Sequence, residues 1–265
     1  MRLKGAVLAI GSLFWEETDA RVSWRSENLD VKGMIKCKVP IRYGRKSDAS
    51  RKGTYTMVFS NELEKSQYGQ AILLPLKEPV VDYASFTKVN KELAKAERII
   101  KDNKPEKQSI VTSWGTNCII INPNLGNEQS ETIAQWWTKL FDAEKDLHNS
   151  KNESKFSLKN YGLDTDSPCI DNNGLLQIDF PGEAKFDFLL ATAAKVKLRG
   201  NSLSYPNAKE IARAMVQGQY FDYFYNNRLN GIYTNEDRMI KKILRKEYSI
   251  NQKKMSVPSK SKKNV

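Results

Sequence analysis

Histidine is nearly missing from this chain: His148 is the only one in 265 residues. That excludes a histidine-rich metal site, and a Ser-His-Asp or Cys-His mechanism would have to run through this single ring. His148 stands in a polar stretch, Lys145 to Asn152, which predicts a solvated surface residue, and no Gly-x-Ser-x-Gly elbow supplies a partner nucleophile. Cysteine is scarce as well. Cys37, Cys118 and Cys169 lie far apart with no C-x-x-C pair, a pattern that reads as reduced thiols in a cytoplasmic protein rather than a disulfide framework or a thiolate metal site. No apolar run approaches the roughly 20 residues of a membrane span. The apolar opening, Gly5 to Trp15, is broken by Glu16-Glu17 and reads as a buried first strand rather than a signal peptide.

What is present supports a folded body. Apolar residues make up 40% and aromatics 10%, with a mean hydropathy of −0.60, which excludes a wholly disordered chain. The formal charge of +12 first suggests an anionic partner such as nucleic acid. Its distribution narrows that suggestion. Arg238 to Val265 hold ten Lys or Arg and one Glu, a surplus of +9, which leaves +3 for everything before them. The basicity therefore belongs to the end of the chain, where residues 249–265 read as a disordered tail making loose, nonspecific anion or nucleic-acid contact.

Hydrophobic spacing gives an α+β order. Strands are predicted over 3–10, 36–43, 54–59 and 68–76, with Pro75 marking an edge or a strand end. A helix is predicted from Ser85 to about Ile100, with Phe86, Val89, Leu93 and Ala96 on one face. Residues 117–121 suggest a strand. A short helix follows, carrying Ile133, Trp136, Trp137, Leu140 and Phe141, then an irregular polar stretch over 142–175. Strands resume at 175–180 and 186–197. Three helices close the chain, the first near Pro206, the second from Tyr220 to Leu229, the third behind a Thr234-x-x-Asp237 capping box.

One loop carries a chemical signal. Gly11-Ser12-Leu13 follows the first strand directly, where a glycine permits close approach and the next N–H groups and the hydroxyl can hold a carboxylate. Other segments stand in the order of one family. Ile10-Gly11-Ser12-Leu13-Phe14-Trp15, then Arg21, Arg25 and Arg42 with the 44–53 loop, Gly69-Gln70-Ala71-Ile72-Leu73, Leu93-Ala94-Lys95-Ala96-Glu97, the Tyr205 to Arg213 helix start and Tyr220 to Asp237 together resemble the γ-glutamylcyclotransferases, the ChaC-type branch in particular. The resemblance covers about 5–100 and 186–245. Ile10 replaces the family's tyrosine, and Arg98 stands where that branch has an apolar residue.

The resemblance implies a mixed β-sheet or barrel with flanking helices. It implies a single domain over 1–248, with an insertion at about 102–185 and a helical C-terminal part. It implies cyclisation of a small-molecule γ-glutamyl compound, glutathione among the candidates, to 5-oxoproline, with no metal and no cofactor. Glu97 would be the acid/base, with Glu92 as fallback. Gly11, Ser12 and Leu13 would bind the substrate, together with an arginine from positions 21, 25, 42, 45 or 51, Arg42 being the one carried forward. Two other readings stay open. One is a basic nucleic-acid-binding protein using the 42–52 loop and aromatics. The other is a non-catalytic interaction protein anchored by Trp136 and Trp137 on the insertion.

Overall fold

A continuous apolar run, Gly-Ala-Val-Leu-Ala, forms β1 (Gly5–Ala9), and all five residues are buried. Such a run belongs in the middle of a sheet covered on both faces. The computed structural model describes residues 1–100, 109–149 (backbone alone for 145–149), 169–181, 185–198 and 204–250. In it β1 is the central strand. It pairs antiparallel with β5 (Gly69–Pro75) and parallel with β7 (Phe188–Ala194), while β2 (Ile35–Val39) and β6 (Gly115–Ile121) flank these on the two sides. The order is β2-β5-β1-β7-β6, a mixed sheet. A separate antiparallel pair, β3 (Ile41–Lys46) and β4 (Tyr55–Phe59), leaves this sheet at Pro40. The single strand expected over 36–43 is thus two strands in two sheets. Proline cannot donate to a ladder, so the chain changes sheets there.

Among the described residues six α-helices surround the strands: α1 (Asp19–Asn28), α2 (Tyr83–Ala96), α3 (Asn127–Asn149), α4 (Ala208–Gly218), α5 (Asp222–Leu229) and α6 (Asp237–Glu247). The molecule is α+β. Asp82 caps α2 by accepting from the Ser85 N–H, and Asn207 caps α4 in the same way through Lys209 and Glu210. Phe86 of α2 is fully buried between Trp136 and Trp137 of α3 and Phe188 of β7, at centroid distances of 5.6 to 6.5 Å. Asn117 of β6 donates to the Asn90 carbonyl of α2 at 2.8 Å.

Several expectations need correction. Helix α1 was not foreseen, because its buried positions are Arg21 and Trp24 rather than an apolar repeat. Helix α3 runs on to Asn149, well into the stretch expected to be irregular. Its buried stripe continues through Glu144, which accepts the Ile110 N–H at 3.2 Å, and an acid on a buried face hides the period. No strand forms over 175–180. The Asp171 carboxylate organises a turn by accepting from Asn173 and Leu175, so only isolated bridges at Leu175 and Leu176 remain. Thr234 and Asp237 do bond, but α6 begins at Asp237, so they form the turn before the helix and not its cap. Pro75 ends β5, which is an interior strand. The side chain of His148, nearly all of the 249–265 tail and much of the insertion lie outside the described residues. Among those that are described, no helix is long and apolar enough to cross a membrane.

Phe86 joins α2 to both neighbouring layers. Phe86→Ala is expected to cost about 3–5 kcal/mol through the cavity it leaves, lowering the thermal midpoint by on the order of 10 °C. A scanning calorimetry shift of only a degree or two would contradict this packing.

Candidate active site

Three segments meet beside the C-terminal end of β1: the loop that follows it, the start of α1 and the end of α2. After Ala9 the chain turns through Gly11-Ser12-Leu13. The Phe14 N–H bonds to the Gly11 carbonyl, and the Trp15 and Glu16 N–H groups bond to the Ser12 carbonyl. The loop is held from outside by Arg25 of α1, whose Nη1 donates to the Leu13 and Glu16 carbonyls at 2.8 and 3.1 Å. Trp15 donates its indole N–H to Asn227 Oδ1 of α5 at 2.6 Å. Gly11 is needed here for space and not for an unusual φ: a Cβ on it would stand 2.6 Å from the Tyr223 hydroxyl. That hydroxyl in turn accepts the Met57 N–H of β4 at 3.1 Å.

Glu97 caps the C-terminus of α2. The chain then reverses through Arg98, which takes a left-handed conformation (φ 60°). The Arg98 N–H bonds to the Lys95 carbonyl and the Ile99 N–H to the Ala94 carbonyl, both at 2.8 Å. This paired-bond reversal buries Ile99 and Ile100 and fixes where the helix ends, hence where Glu97 stands. Arg98 itself is exposed at the cavity edge.

The side chain that joins these segments is Arg21 of α1, which is 6% exposed. Its Nε donates to the Ala96 carbonyl at 3.0 Å, its Nη2 to Glu97 Oε2 at 2.6 Å, and its Nη1 to Ser12 Oγ at 2.9 Å and to Glu16 Oε2. Arg51, from the short 3₁₀ turn between β3 and β4, adds Nη2 donation to Ser12 Oγ at 2.7 Å and to Glu16 at 3.4 Å. Its guanidinium lies 5.0 Å from the Tyr223 ring centroid. Burial pushes the Glu97 carboxyl above its ordinary range. Arg21 and Arg51 oppose that shift and Glu16 reinforces it. Burial likewise raises the Tyr223 phenol, against the pull of Arg51.

These residues line one cavity of about 350 Å³. Of the residues singled out in the sequence, Gly11, Ser12, Leu13 and Glu97 all line it. Arg42 does not. It lies over the Tyr205 ring at 4.0 Å and 3.8 Å from Glu62. The ladder shifts register between Tyr43 and Arg45, and it is Arg45, beyond that bulge, that lines the cavity. The fallback Glu92 is outside the lining and pairs with Lys95 at 2.9 Å. Arg21, Arg45 and Arg51 belong to the set of arginines left open above. Glu16 had no signal in the sequence beyond residue type, and Tyr220 and Tyr223 entered only as part of the Tyr220 to Asp237 segment. The insertion contributes Trp114 to the same cavity.

No protein-family model, no curated protein and no solved structure matches the chain. Arg21 and Arg51 share the Ser12 hydroxyl and hold the Glu16 and Glu97 carboxylates beside the end of β1, a set that can bind a carboxylate and move a proton. Among the described residues no group of three His, Cys, Asp or Glu is placed to hold a metal, and the three cysteines are free thiols. The tryptophans suggested as surface anchors are poorly suited to that role. Trp137 is 1% exposed and donates to the Asn173 carbonyl at 2.7 Å, and Trp136 is half-buried against Phe86.

Arg21→Gln leaves Glu97 in a buried place without its cation and is expected to cost about 3–5 kcal/mol. Adding Glu97→Gln should restore part of that loss, and strict additivity in denaturant unfolding would contradict the pairing. The pH dependence has a definite sign. Glu97 is raised in the folded state, so its contribution is complete below the ordinary carboxylate pKa and declines as pH rises through the raised value. The stability of the wild type relative to Glu97→Gln should therefore fall with pH across that window.

Proposed function

We propose that this chain is a γ-glutamylcyclotransferase-like enzyme on a fold of that type, cyclising a γ-glutamyl compound to 5-oxoproline with release of an amine or peptide. The observation that carries this reading is the meeting of Glu97 with the Gly11–Leu13 loop in one cavity. They are separated by some 80 residues of sequence and joined through Arg21, which bonds to Ser12 Oγ at 2.9 Å and to Glu97 at 2.6 Å. The resemblance named above supplies the reaction.

The chemistry asks for little. The substrate's α-nitrogen attacks its own γ-carbonyl carbon, the new C–N bond closes a five-membered ring, and the bond to the leaving amine breaks. The α-ammonium gives up two protons in becoming the lactam N–H, and the leaving amine accepts them and departs as an ammonium. The step is already intramolecular, and holding the two reacting ends together restricts the chain to the folded-back conformer that closes the ring. Glu97 supplies the proton transfer, as base to the α-ammonium and then as acid to the leaving nitrogen. Its raised carboxyl suits that traffic, since it moves the acid's pKa toward that of the amine. Arg21, Arg51 and the Ser12 hydroxyl suit the substrate α-carboxylate. Glu16 stands on both guanidiniums in the structure, so an incoming carboxylate has to compete with it.

Two measurements test this. The first is 5-oxoproline release from a panel of γ-glutamyl peptides and amines. Glu97→Gln should lower kcat by about 10²–10⁴-fold, and equal rates would remove Glu97 from the chemistry. The second concerns Glu16. If it competes with the substrate carboxylate, Glu16→Gln lowers KM several-fold with kcat little changed. A higher KM would mean instead that Glu16 holds the substrate ammonium.

A further inference from the structure

Helix α6 carries Arg238, Lys241, Lys242, Arg245 and Lys246, all exposed. At 100° per residue they fall in one stripe, opposite Ile240 and Leu244, which are fully buried. Among the described residues none of the five has an ion-pair partner. The acids of the same helix are used elsewhere: Asp237 is 1% exposed and bonds to Thr234 and Arg228, while Glu247 pairs with Lys209 of α4 at 3.6 Å.

This arrangement works against the helix. Arg238–Lys242, Lys241–Arg245 and Lys242–Lys246 are like charges one turn apart, which repel. Arg245 and Lys246 in the last turn favour the helix dipole, but Arg238 in the first turn opposes it. Helix stability therefore does not explain the stripe, and a polyanion does. We infer that the outer face of α6 is a docking surface for the phosphate backbone of a nucleic-acid duplex, bound without regard to sequence. The stripe spans about 12 Å. A duplex presents about seven phosphates over that length, and its major groove admits a helix. A membrane surface is the poorer fit, because interfacial helices insert their apolar face and here that face is packed into the core. The surface is independent of the cyclotransferase reading and stands whether or not that activity is found.

The test uses the full chain, a 25-base-pair duplex of arbitrary sequence, and fluorescence anisotropy over a salt series. Three variants are compared with wild type: the five α6 cations changed to Gln, the five exchanged between Arg and Lys, and Lys253, Lys254, Lys260, Lys262 and Lys263 of the tail changed to Gln. The α6 Gln variant should bind at least about tenfold more weakly. Its slope of log K against log salt should be shallower by about 4. The exchange variant should bind like wild type, with circular dichroism showing all of them folded. Unchanged affinity and slope in the α6 Gln variant overturns the inference, as does loss of all binding in the tail variant. Tighter binding to phosphatidylserine vesicles than to the duplex, lost with the same five side chains, also overturns it.

Discussion

A single buried guanidinium, that of Arg21, holds the candidate site together. It bonds to a backbone carbonyl at the end of α2, to the carboxylate of Glu97, the C-cap residue of that helix, to the hydroxyl of the loop after β1 and to a second carboxylate. Arginine alone offers five donors in a planar fork and stays charged at any physiological pH. Burying it is expensive, and only several well-placed acceptors offset the loss of water. The site is therefore over-determined from both directions: the acceptors fix Arg21, and Arg21 fixes the distance between the loop and Glu97.

The rest of the local structure follows from that constraint. The loop must pass close under α5, so Gly11 carries no side chain toward the Tyr223 hydroxyl. The end of α2 must be sharp, so the chain reverses through a left-handed Arg98 and buries Ile99 at once. The segment between β3 and β4 must reach across, and its 3₁₀ turn delivers Arg51 to the same hydroxyl. Even the stretch expected to be an insertion takes part, since it supplies the edge strand β6 beside β7 and brings Trp114 to the cavity. Its described part is integral to the sheet that positions the loop.

This explains what could and could not be read beforehand. Strands such as β1 and β5 were visible because buried strands are runs of apolar residues, and α2 because its apolar positions recur with helical spacing. Glu97 and Gly11–Leu13, singled out by order along the chain, line one cavity. Arg21 was only one arginine in five. Nothing in a sequence says which cation is buried, because a buried Arg is defined by acceptors that come from distant segments. The same fact hid α1, whose inward positions are Arg21 and Trp24. Arg42 failed for a smaller reason: one bulge between Tyr43 and Arg45 redirects the strand, and a pattern of alternation cannot register it.

The molecule thus uses positive charge in two opposite ways. In the cavity Arg21 and Arg51 are matched against Glu16 and Glu97, and the protein's own acids stand where a ligand's could. On α6 the cations have no ion-pair partner among the described residues and are exposed and mutually repelling, while the nearby acids are engaged with other residues. A matched, buried cluster selects by geometry, because only a ligand that replaces each bond can enter without cost. An unmatched, exposed stripe selects by charge density alone and weakens with salt. Net charge cannot distinguish the two. The +12 of the chain conceals a nearly balanced body, whose candidate site is joined through one buried cation, and a strongly basic end.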